Sequence, residues 1–95
     1  MEVGRFPNKL KLFRHSKGYS RKKVARMVGL TNSSQLSKWE RGVVLPNLLQ
    51  VFSLARIYQT HPHELFDDLW KQIDMQFNLL AQDVEPFNSN ETFFV

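Results

Sequence analysis

Cysteine is absent from this 95-residue chain. That excludes disulfide staples and thiolate chemistry and leaves no argument for export. No apolar run approaches the roughly 20 residues that a membrane-spanning helix needs. The first residues, MEVGRFPNKLKLF, lack the apolar segment of a signal peptide, so a cytoplasmic location is expected. There is no glycine-rich phosphate loop, and no serine–histidine–acid or paired-carboxylate arrangement at workable spacing. No catalytic residue and no enzyme activity are therefore expected. His61 and His63 flank Pro62 without a third ligand, so neither a metal nor another cofactor is expected. Internal repeats and low-complexity runs are missing as well.

What is present is enough apolar residue, 42%, for one small core. The net charge of +4 conceals a polarity. Residues 1–42 carry eleven lysines and arginines against two glutamates, whereas residues 43–95 carry two cations against seven acids. The first half suits a polyanion, and the second belongs on the far side of the molecule. Taken alone, such a run is equally an ordinary solvated face.

Hydrophobic spacing predicts an all-α fold of five helices. The first spans about Asn8 to Lys17, with Leu10 and Phe13 inward and Gly18 as its stop. The second starts at the cap residue Ser20 and ends at Gly29. The third starts at Asn32 or Ser33 and ends at Gly42; with Asn32 as the cap, Gln35 completes a capping box. The apolar loop from Gly42 to Pro46 is expected to cover part of the core. A fourth helix follows Pro46, capped by Asn47 with Gln50 three residues on. Its stripe is Leu48, Val51, Leu54, Ala55 and Tyr58. A fifth begins at His61-Pro62 with Glu64 near the positive end of its dipole.

The second and third helices carry the chemistry. Ala25 is small, Gly29 turns the chain, and Leu36 and Trp39 point inward, so the two helices can cross closely. The outer face of the third helix then forms a ridge sized for the major groove of double-stranded DNA. Gln35 and Lys38 are the expected base-edge readers, with Ser34 a weaker one: glutamine pairs bidentately with adenine, and lysine donates to guanine. Ser20, Arg21, Lys22 and Arg41 are expected at phosphates. Asn32 and Ser33 serve either as phosphate contacts or purely as caps. Lys9, Lys11, Lys17, Lys23 and Arg26 add a diffuse positive field. Phe13 and Trp39 are core residues rather than nucleotide stackers.

From Leu10 to Phe66 the chain resembles the Cro/lambda-repressor type of helix-turn-helix, the Xre family. The resemblance rests on Phe13-Arg14, Gly18-Tyr19-Ser20, Val24-Ala25, Gly29-Leu30-Thr31, the run Ser37-Lys38-Trp39-Glu40-Arg41-Gly42, then Pro46 and Leu65-Phe66. It implies a compact lambda-repressor-like bundle of five helices that binds operator DNA, commonly as a dimer, as a repressor-like transcription regulator. It also implies an ion pair between Arg14 and Glu40. Two departures stand out. The stretch from Gly29 to Gly42 is one residue longer than the family pattern, an addition placed within Thr31-Asn32-Ser33-Ser34. Arg21 stands where the family often has glutamine. The expected organisation is a helix-turn-helix domain over 1–66, a helical extension over 67–84 and a flexible tail over 85–95.

Phe66, Trp70, Ile73, Phe77, Leu80 and Val84 recur at heptad spacing along the last helix. A helix from Pro62 to Val84 is about 34 Å long at about 1.5 Å per residue. Its first apolar residues are expected to dock on the first and fourth helices. Trp70, Ile73, Phe77 and Leu80 are the dimerisation candidates, in a homodimer that matches operator half-sites. The alternative is a bend at Gln72 to Gln76 that folds the helix back on its own core. Two other functions are compatible with the same fold: an antitoxin-type regulator that also binds a small protein partner, and a protein-interaction module that has lost DNA binding. The basic first half speaks against the latter.

Overall fold

Local signals place the helix ends. Ser20 Oγ accepts the Lys23 N–H at 3.0 Å and opens one helix, which stops at Gly29 in the left-handed region, φ 93°. Asn47 and Gln50 form a reciprocal capping box, with bonds of 2.8 and 2.9 Å, and open another. The resulting order is α1 (Leu10–Ser16), α2 (Arg21–Val28), α3 (Ser34–Glu40), α4 (Leu48–Tyr58), α5 (Pro62–Leu65) and α6 (Asp67–Gln82). The computed structural model describes residues 4–82, and no strand occurs among them.

The core is Leu10, Val24, Leu36, Trp39, Leu54, Ala55, Tyr58, Leu65 and Phe66. Each helix from α1 to α5 contributes to it, and α2 crosses both α3 and α4. Phe13 stacks on Tyr58 with ring centroids 6.4 Å apart. In the loop after α3, Gly42 and Pro46 are buried and Val44 packs on the core, while Leu45 is exposed.

Several expectations need correction. The fifth helix is two. Phe66 leaves the helical region (φ −123°, ψ 49°), so α5 ends at Leu65 and α6 starts at Asp67. The cause is a long-range bond: the Leu65 carbonyl accepts the Lys9 N–H at 2.8 Å, and Leu65 and Phe66 both sit in the core. Of the described residues of the heptad seam only Phe66 docks; Trp70, Ile73, Phe77 and Leu80 are each more than half exposed. The fold-back is not seen either, because α6 is continuous through Gln72 and Gln76 and buries no residue. Val84 and the tail lie outside the described residues.

Leu48 also falls out of the α4 stripe. It occupies the first helical position, beyond the half-buried Val51, and is exposed. The capping box at Asn32 does not form. Asn32 Oδ1 accepts the Ser34 N–H at 2.9 Å and the helix starts at Ser34, which puts Gln35 too early to close the box. Among the described residues no helix is long and apolar enough to cross a membrane.

Candidate nucleic-acid interface

The face of α3 follows from its period. Leu36 and Trp39, three apart, are fully buried against α2 and α1. Ser34, Lys38 and Arg41 are consequently exposed, and Gln35 is half-exposed. Ser34, Gln35 and Lys38 share one stripe, at i, i+1 and i+4. Thr31 and Asn32 in the preceding turn are exposed, as are Ser20, Arg21 and Lys22 at the start of α2. Ser33 is half-buried. The structure thus brings the expected readers and the expected phosphate contacts together around the α2–α3 crossing.

Hydrogen bonding refines what each group has to offer. Ser34 Oγ donates to Asn32 Oδ1 at 2.5 Å, which leaves Ser34 able to accept from a base amino group. The Asn32 oxygen is committed twice, to the Ser34 N–H and hydroxyl, so only its amide N–H groups remain to donate. Ser20 Oγ is an acceptor toward Lys23 N–H, and its own hydroxyl hydrogen can still donate. Lys23 Nζ lies over the Tyr19 ring, 4.6 Å from its centroid. Arg41 Nε donates to the Ser37 carbonyl at 3.4 Å.

Beneath this surface sits a buried charge cluster. Arg14 is 6% exposed and the Glu40 side chain 2%. Arg14 Nε donates to Glu40 Oε2 at 2.6 Å, Nη2 to Oε1 at 3.2 Å, and Nη1 to the Tyr19 carbonyl at 3.0 Å. The fork-to-fork geometry ties α1 to the last residue of α3. The hydrogen bond to Glu40 pushes the Arg14 pKa up, against the burial that would lower it. Arg21 joins from α2, donating Nε to Glu40 Oε1 at 3.1 Å. Tyr58 lies near the cluster; burial pushes its phenol pKa up, and its hydroxyl has no hydrogen-bond partner among the described residues.

A second brace was not legible in the sequence. Asn8 Nδ2 donates to the Trp39 carbonyl at 2.8 Å, and Phe6 N–H donates to the Gly42 carbonyl at 3.1 Å. The N-terminal segment therefore clamps the C-terminal end of α3. Gly42 is required there: its φ is 74°, and a Cβ would lie 2.6 Å from the Phe6 carbonyl oxygen. Asn8 precedes a helix and reads in the sequence as a simple helix-start residue; its bond to α3 spans 31 positions.

The chain matches the family described as Helix-turn-helix over residues 10–65. Two solved structures are similar. One is the restriction-modification controller protein C.AhdI from Aeromonas hydrophila, 33% identical, with a TM-score of 0.55, covering 61% of this chain and 86% of that one. The other is the SinR protein/SinI protein complex, at 25% identity and a TM-score of 0.58, covering 86% of this chain and 77% of that one. No curated protein sequence matches the chain.

Proposed function

The chain belongs to the helix-turn-helix family, and on that basis we propose that it is a sequence-specific transcription regulator that reads the major groove of double-stranded DNA with α3. The observation that carries this reading is the stripe of exposed Ser34 and Lys38 with half-exposed Gln35, framed by Arg21, Lys22, Asn32 and Arg41. Donors and acceptors at the centre suit base edges, and cations at the margin suit phosphates. Of the two similar structures, one is a restriction-modification controller protein and the other a complex of SinR with SinI. Occupation of operator DNA in the cytoplasm, the mode of a repressor, fits this surface best.

The regulator works as a homodimer joined through α6. Trp70, Ile73, Phe77 and Leu80 form one exposed apolar stripe, and a second copy of the same helix covers it. A two-fold pair also sets two α3 ridges on successive half-sites, roughly 34 Å apart. A second reading, in which the stripe receives a small protein partner, is favoured by the SinR–SinI likeness. Genome-wide selection of bound sites, followed by gel shifts at two salt concentrations, tests the function. Enrichment of a two-part site with affinity falling steeply with salt supports it; the absence of any salt-sensitive duplex binding overturns it.

A further inference from the structure

Glu40 faces two guanidinium groups at once, and they differ in kind. Arg14 is buried and meets the carboxylate with two N–H bonds. Arg21, on a side chain 44% exposed, meets it with Nε alone at 3.1 Å. Among the described residues the two Nη groups of Arg21 have no hydrogen-bond partner. The Arg14–Glu40 unit is already neutral as a pair, so the positive charge of Arg21 is oriented by Glu40 without being cancelled. The neighbouring cations are held differently: Lys22 is exposed, and Lys23 rests over the Tyr19 ring.

We propose that Glu40 is a positioning residue for Arg21, gripping its Nε so that the Nη edge is presented as a fixed clamp for a DNA backbone phosphate beside α3. The proposal rests on the DNA-binding reading above. A guanidinium is planar, and one anchored edge limits the rotamers of the rest. An arginine ordered in advance loses less freedom when it meets a phosphate than a free one does. Because Glu40 also ends the helix whose face carries Gln35 and Lys38, the clamp sets the register of those readers on the duplex.

The test compares Arg21→Lys, Arg21→Ala and Glu40→Gln on a selected duplex across a salt series. Arg21→Lys keeps the charge and loses the anchored fork. Its affinity is expected to fall about five- to tenfold with the salt slope unchanged. Arg21→Ala is expected to bind more weakly still, with the slope reduced by about 0.9. Glu40→Gln also disturbs the Arg14 pair in either background, so it should weaken binding by a larger factor in the Arg21 protein than in the Arg21→Lys protein, with helicity checked by circular dichroism; equal factors in the two backgrounds overturn the proposal. If Glu40→Gln does not fold, the lysine and alanine variants decide the matter. An Arg21→Lys protein that binds as tightly as the parent, or more tightly, overturns the proposal. A parent protein with no salt-sensitive binding overturns the DNA-binding reading itself.

Discussion

Arg14 and Glu40 join α1 to the end of α3 through two hydrogen bonds of 2.6 and 3.2 Å, with both side chains almost wholly out of solvent. The pair is asymmetric in what its loss leaves behind. Glu40→Ala strands a buried guanidinium and is expected to cost about 3–5 kcal/mol. Arg14→Ala leaves Glu40 still bonded to the exposed Arg21, a contact of about 1 kcal/mol at most, so it should cost somewhat less. Urea melts of the two variants and the double mutant give the coupling. Strong coupling, with Glu40→Ala the worse single change, is the expected result; coupling near zero would return both residues to a surface role.

Gly42→Ala is expected to destabilise the fold by about 1–3 kcal/mol, because the left-handed backbone and the Phe6 carbonyl act together. Gly18 supplies the control. Its φ is 71°, but a Cβ there meets nothing within 4 Å. Gly18→Ala should therefore carry the backbone strain alone, about 1–2 kcal/mol. Equal shifts in the urea midpoint would show that the N-terminal segment does not hold α3.

Tyr58 makes the fold sensitive to alkali. Its folded-state pKa lies above the ordinary value of 10.0, because burial disfavours the phenolate. The unfolded chain therefore loses this proton first. Stability from the buried phenol is whole below about pH 10 and falls as pH climbs from there toward the folded pKa. Tyr58→Phe removes a hydroxyl that has no partner among the described residues, so it should change stability at neutral pH by less than about 1 kcal/mol and soften the alkaline decline. Phenolate absorbance during a pH titration checks this: Tyr58 should ionise only as the fold is lost.

Much of the fold was legible in the sequence, because its signals are local. Ser20, Gly29 and the Asn47–Gln50 pair mark helix ends by bonds to near neighbours, and Leu36 and Trp39 mark the inner face of α3 by spacing. What was not legible is long-range. The break at Phe66 has no glycine or proline to announce it; it depends on the Leu65 carbonyl reaching Lys9. The third partner of the buried charges, Arg21, lies 19 positions from Glu40. Asn8 reads as a helix start and acts as a tie to Trp39. The heptad seam was visible, but periodicity does not say whether a face meets its own core or another chain.

That face yields its own prediction. Phe77 is 59% exposed in the middle of the α6 stripe, outside the core. Phe77→Asp should therefore give a protein that melts like the parent, sediments as a monomer and binds operator DNA weakly at low concentration. A parent that is already monomeric at tens of micromolar, or a variant that stays dimeric, would contradict the α6 homodimer.

The central claim is that the Ser34–Gln35–Lys38 face of α3 reads bases while the start of α2 holds phosphates. The most direct measurement is the affinity of Lys38→Ala and Lys22→Ala for the selected duplex and for duplexes changed one base pair at a time, over a range of salt. Lys38→Ala should lose about 1–3 kcal/mol of discrimination at one base position, as should Gln35→Ala at another. Lys22→Ala should weaken binding to every duplex about equally and lower the salt slope by about 0.9. Lys38→Ala with affinity and base preference both intact would contradict the placement of α3 in the groove.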